Sequence, residues 1–223
     1  MPSLLALEGI TLVAPDGRTV FEDLDWQLER GARYHLQGGL GNGASALLRL
    51  CAGLARPQKG RVLLDGVPLD LDSLDHPYLN AGALGWVPTD GGLAVNLTLL
   101  DNIALPLRFS LLLEREEAEG RAAQWLELAG LTRLARTRPR VPADRTCWLA
   151  SLARAGAKAS KLWLVDRPAG GLDPASLHGA RTMLERAAQD PETTLVMVGG
   201  EWMSALGMPL GIDDGCLSCG SRP

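Results

Sequence analysis

Residues 38–46 read Gly38-Gly39-Leu40-Gly41-Asn42-Gly43-Ala44-Ser45-Ala46, a run whose natural chemistry is the binding of phosphate. Glycines at this spacing let successive backbone N–H groups converge on an anion. In the full pattern G-x-x-x-x-G-K-[ST], a lysine then neutralises the phosphate oxygens and the following hydroxyl holds Mg²⁺. Here the glycines and the Ser45 hydroxyl are present, but Ala44 occupies the lysine's place. The cradle is kept and its charge is not.

Such a loop must be held between a strand and a helix, and the flanking residues supply both. His35-Leu36-Gln37 closes an apolar run that reads as a strand, and residues 45–54 read as an apolar helix ending at glycine. Other reactive residue types are sparse. Cys216 and Cys219 form a CxxC pair, but Cys51 and Cys147 provide no second pair, so the sequence predicts a solvated tail with no metal or redox role. His35, His76 and His178 lack ligand spacing and read as structural. The arginines at 133, 136, 138, 140 and 145 read as a solvated loop, with acidic lipid or an acidic partner as the functional alternative.

The rest of the chain sets the frame for the loop. At 223 residues, 46% hydrophobic and 22% charged, it suits one globular domain, and a net charge of −4 gives no general attraction to nucleic acid. The N-terminal residues lack a signal-peptide pattern and no run reaches membrane-spanning length, which leads to the expectation of a cytoplasmic protein.

Strands are predicted over 4–7, 10–13 and 19–28, with a turn at Pro15-Asp16-Gly17, and again over 61–66, 83–88, 162–166 and 194–198. Helical periodicity covers 98–131, running through Leu111, Leu112 and Leu113, and then 148–157 and 174–189. Trp125 and Trp163 fall at core positions. Strands alternating with helices imply an α/β fold with a mainly parallel sheet, beside which the N-terminal strands form an antiparallel unit.

In this order the elements resemble the ATP-binding subunits of ABC transporters over nearly the whole chain, in a style close to those serving lipid, lipoprotein or cell-division complexes. The resemblance rests on the glycine loop, on Gly60-Arg61-Val62 with Asp65-Gly66, on residues 96–107, and on Leu162–Asp166 followed by Gly171-Leu172-Asp173-Pro174. It implies a P-loop NTPase fold of ABC type in a single domain. Residues 1–88 and 147–223 would form the core with its antiparallel β subdomain, and 89–146 a helical subdomain. ATP and Mg²⁺ are the cofactors it implies, with Ser45 and Asp166 as metal ligands.

Several family positions carry other residues. Ala14-Pro15 replaces the adenine-stacking ring, Ala44 the lysine, Ala46 the second hydroxyl and Thr89 the glutamine. Pro142-Ala143-Asp144-Arg145-Thr146 replaces the signature Leu-Ser-Gly-Gly-Gln. Arg167 stands at the catalytic glutamate and is expected in a structural ion pair, and Gly200 stands at the switch histidine.

Losing the lysine removes a charge-assisted contact of ~1.5–3 kcal/mol. Losing the ring removes stacking of ~1–3 kcal/mol. Without the glutamate, general-base assistance of ~10²–10⁴ in rate is gone. The resemblance therefore implies a pseudo-ATPase with ATP and Mg²⁺ bound weakly or not at all. It would act as a structural or regulatory subunit at the inner, cytoplasmic face of a membrane, with a permease and either itself or a second, intact ATPase subunit as partners. Two alternatives stay open: a working ATPase subunit completed by a partner chain, and a soluble regulator without a membrane partner.

Overall fold

Ser3–Val13, buried continuously from Leu4 to Leu7 and alternating only around Ile10 and Leu12, forms strand β1, which turns at Pro15-Asp16-Gly17 into the antiparallel β2, Thr19–Glu29. The sequence places a break between Leu7 and Ile10. The structure runs one strand through it, and Gly9, at φ 58°, takes up the register shift as a bulge. With β4 (Lys59–Leu64) and β5 (Val67–Pro68) these strands make a four-stranded sheet in the order β2-β1-β4-β5.

The computed structural model describes residues 3–37, 41–69, 76–140, 143–213 and 215–219. Its second sheet has six strands in the order β10-β9-β3-β8-β7-β6. These are β3 (Arg33–Gln37), β6 (Leu84–Val87), β7 (Leu162–Val165), β8 (Thr194–Val198), β9 (Met208–Asp213) and β10 (Cys216–Cys219). All neighbours pair in parallel except the β9–β10 hairpin. The α/β architecture with an antiparallel β unit is thus as the sequence predicts.

Alternation along the central strands assigns the two faces of this sheet. Leu162, Leu164, Val196 and Val198 pack with β1, β2, β4 and α1 (Ala44–Cys51). Trp163, Val165, Leu195 and Met197 pack with α3 (Leu99–Ser110), α4 (Arg115–Leu128), α5 (Arg145–Ala157) and α6 (Pro174–Ala188). A strand buried on both faces reads as a continuous apolar run, which is why β7 and β8 were legible. The short α2, Pro77–Asn80, precedes β6.

Three expectations are corrected. The helical period does not run through Leu111–Leu113: α3 ends at Ser110, Leu112 takes φ 54°, and its side chain is 83% exposed. Helix α5 begins at Arg145, three residues earlier than predicted, because Asp144 caps it by accepting from the N–H groups of Thr146 and Cys147 at 2.9 and 3.3 Å. The CxxC segment is no solvated tail, since β10 pairs with β9 at the edge of the main sheet.

Candidate phosphate-loop site

Parallel strands present their carboxyl ends to one edge of the sheet, and the candidate site lies there. Strand β3 ends at Gln37, and after the loop the chain enters α1 at Ala44. Gly38 and Gly39 lie outside the described residues; the loop is described from Gly41 onward. Gly43 caps α1 at φ 96°, a left-handed conformation that disfavours any side chain. A Cβ there would also come within 2.7 Å of Val20 Cγ1 and 3.0 Å of Phe21 Cζ. Its glycine is therefore required both by the backbone and by the close approach of β2.

Ala44 is 2% exposed and packs into the apolar cluster under β1 and β2. Its N–H is already taken by the Asn42 side chain, whose Oδ1 accepts at 3.2 Å. Ala46, two residues further on in the first turn of α1, is half-buried. From the β1–β2 turn, Arg18 donates Nη1 to the Gly41 carbonyl at 3.2 Å and so brings a positive charge to the loop.

Ser45 and Asp166, distant in sequence, meet. The Ser45 hydroxyl donates to Asp166 Oδ1 at 3.0 Å across the end of β7. Asp166 is only 4% exposed and is braced from three sides. Its Oδ1 also accepts from the Arg167 N–H at 2.9 Å, and its carbonyl accepts from Trp148 Nε1 at 2.8 Å. Trp148, fully buried on α5, is a positioning residue that sequence reasoning missed; its apolar surroundings gave no sign that the indole would reach this strand end. A hydroxyl and a carboxylate facing each other are hard oxygen ligands of the kind Mg²⁺ takes, so these two residues fit a metal. The buried methyl group of Ala44 does not fit the charge of a triphosphate.

The remaining positions are dispersed in role. Thr89 accepts the Ala169 N–H through its carbonyl at 3.0 Å. Gly200 begins a single turn of 3₁₀ helix, where a Cβ would approach Trp202 to 3.2 Å. The ion pair expected of Arg167 is absent among the described residues: only its backbone N–H is engaged. The pairing falls instead to Arg145, whose Nε lies 2.9 Å from Asp173 Oδ2. Asp173 caps α6 through the Ser176 N–H, and that bond first, then Ser176 and Arg145, holds its carboxyl below the ordinary aspartate range. Arg138, Arg140 and Arg145 line a cavity of about 470 Å³. Pro142, in the replaced signature segment, lies outside the described residues.

His35 is structural as expected: it is buried, with Nε2 3.2 Å from the Gly199 carbonyl and Nδ1 3.1 Å from the Ser204 hydroxyl. Trp163 is core, whereas Trp125 is half-buried, flat against Gly156 and under the Arg186 guanidinium at 5.6 Å. No group of three or more potential metal ligands occurs among the described residues.

Comparison with known proteins places this arrangement. Residues 21–170 match the domain family described as ABC transporter. An Fe(3+) ions import ATP-binding protein, FbpC 2 of Pectobacterium atrosepticum, is 33% identical over 176 residues, covering 78% of this chain and 48% of that protein. The cytochrome c biogenesis ATP-binding export protein CcmA of Bordetella parapertussis is 34% identical over 185 residues, covering 82% of this chain and 77% of its own length. The chain thus spans about half the length of the first of these relatives and three quarters of the second. In structure, the dimeric ATP-binding cassette MJ0796 bound to ADP and Pi superposes with a TM-score of 0.82 at 23% identity, covering 96% of this chain and 98% of that one.

Proposed function

This chain belongs to the ABC transporter family, and we propose that within it the chain is a non-hydrolysing subunit that supports or regulates a membrane transport complex. The observation that carries this reading is the state of the phosphate loop: Ala44 is buried, and its N–H is turned inward to Asn42. A loop whose amide is occupied by its own side chain, and whose ammonium is missing, offers phosphate the backbone concavity without the charge that makes it strong. Beyond it, Arg167 presents a cation where water must be polarised by a carboxylate, and Gly200 presents no ring.

Among the described residues no helix is long and apolar enough to cross a membrane, so attachment is proposed to run through a permease at the cytoplasmic face. A second nucleotide-binding chain, identical or intact, is the other partner. The docking surface is proposed near residues 89–107. Of the apolar residues there, Leu93 packs against the core and Val95 is 58% exposed. Leu105 and Phe109 on α3 add exposed apolar area.

The second reading, a working ATPase completed by a partner, is favoured by the Ser45–Asp166 pair, which keeps two metal-type ligands 3.0 Å apart. Hydrolysis assays separate the two. The purified chain is expected to release no phosphate from MgATP above background, alone or with a permease partner. Turnover that Asp166→Asn abolishes would establish the working enzyme instead.

A further inference from the structure

The phosphate loop follows the carboxyl end of β3; at the opposite edge of the same sheet, a cleft of about 270 Å³ opens between α4, α5 and α6. Residues 159–160 and 193, just ahead of β7 and β8, place it at the amino ends of those strands. Arg121 and Trp125 of α4, Gly156 of α5, Arg186 of α6 and Asp190 beyond it form the part of the lining that carries chemistry.

Trp125 is seated by an absent side chain. Gly156 lies in the last turn of α5, and a Cβ there would come within 2.2 Å of Trp125 Cζ3. The indole fills that space and tilts against Trp163, with the ring centroids 6.3 Å apart. Trp163 is fully buried, yet Trp125 remains half-buried, so one large aromatic surface is fixed in place and left partly open to the cleft.

Two guanidiniums accompany it. Arg121 is half-buried one turn before Trp125, on the same face of α4, and the Arg186 guanidinium stands 5.6 Å from the indole centroid. Neither side chain has an ion pair or a hydrogen bond among the described residues. The cleft's own carboxylate is already engaged, since Asp190 Oδ2 accepts from Lys161 Nζ at 2.6 Å. The lining therefore combines an aromatic wall with two uncompensated positive charges.

We propose that this cleft binds a small aromatic carboxylate, with its ring against Trp125 and its carboxylate held by Arg121 and Arg186. A carboxylate matches the planar fork of a guanidinium, and a flat ring covers the exposed part of the indole. The cleft lies just under the roughly 300–1,000 Å³ of sites for drug-sized ligands, so its ligand is small. Inorganic phosphate would leave the indole uncovered, and a cation would be repelled. A ligand so held ties α4 to α6. The site is separate from the phosphate loop and is independent of whether nucleotide binds there.

The test is calorimetric titration of the purified full-length chain with benzoate, 4-hydroxyphenylacetate and indole-3-acetate, with the melting temperature as a second readout. At least one acid is expected to saturate a single site and to raise the melting temperature. Its carboxamide counterpart should bind about tenfold more weakly or worse, and Arg121→Gln and Arg186→Gln should each weaken the acid by a similar factor. Trp125→Leu should weaken it as well. Melting checks each variant's fold, and if Trp125→Leu fails to fold, the two arginine variants carry the test, since neither side chain belongs to the buried core. Binding that is indifferent to both arginine variants, or a carboxamide that binds as tightly as its acid, would overturn the site. Inorganic phosphate that displaces the acid at equal concentration would overturn recognition of the ring. No saturable binding of any of the three acids at millimolar concentration would overturn the proposal as a whole.

Discussion

At the scale of residues, position 44 carries a buried methyl group where the phosphate-loop pattern has an ammonium. Ala44→Lys is expected to tighten ATP binding by about tenfold to a hundredfold, the value of one charge-assisted contact, and to produce no turnover, because Arg167 and Gly200 still leave water unactivated. Since Ala44 lies in the apolar cluster, the same substitution should lower stability by about 1–3 kcal/mol, read from a urea titration. Measurable phosphate release from this single change would show that the other departures are compensated. Ser45→Ala removes one of the two donors on Asp166 Oδ1 and should cost about 1–2 kcal/mol, while MgCl₂ without nucleotide should leave the wild-type melting temperature unchanged.

The glycine loop, Ser45 and Asp166 were legible in sequence because motif spacing and an apolar strand announce them. The Asn42 amide on Ala44, the Trp148 indole on Asp166 and the Arg145–Asp173 pair were not, because each joins residues through side-chain orientation that periodicity does not encode.

At the scale of elements, burial pattern decided what could be read. Strands β7 and β8, buried on both faces, stand out as apolar runs, whereas the β9–β10 hairpin carries proline, glycine and serine and hides among turn residues. The early start of α5 is marked in the sequence by Asp144, which sits one residue before the helix and is a favoured cap. Two element-level predictions follow from geometry. Gly43→Ala should destabilise the fold by about 2 kcal/mol or more, since a side chain there meets both a left-handed backbone and Val20.

The α5–β6 groove also sets a pH dependence. Because burial first, and the neighbouring Arg154 second, lower Lys158 to about 8 in the folded chain, the unfolded chain holds the extra proton between there and the ordinary lysine value. Its penalty is therefore fully present below about pH 8 and relieved as pH rises toward about 10. The groups facing it are Arg154, which shares its sign, and the neutral Leu84 carbonyl. Lys158→Met should accordingly be more stable than wild type near neutral pH by about 1–2 kcal/mol, with the advantage fading by about pH 10. An advantage that stays constant with pH would remove the electrostatic explanation.

At the scale of the molecule, a six-stranded sheet covered by helices on one face and by an antiparallel sheet and α1 on the other keeps the ABC cassette architecture. At the carboxyl edge of the sheet, Ala44 is buried and its amide is capped by the Asn42 side chain. The groove beside α3 carries Arg154 and Lys158, hydrogen-bonded to neutral oxygens.

Calorimetric titration of MgATP into the purified chain tests this most directly. Loss of the lysine contact and of adenine stacking together weakens binding by roughly two to four orders of magnitude. The expected Kd is accordingly in the millimolar range or weaker, and a Kd in the micromolar range would contradict a phosphate loop that lacks its charge.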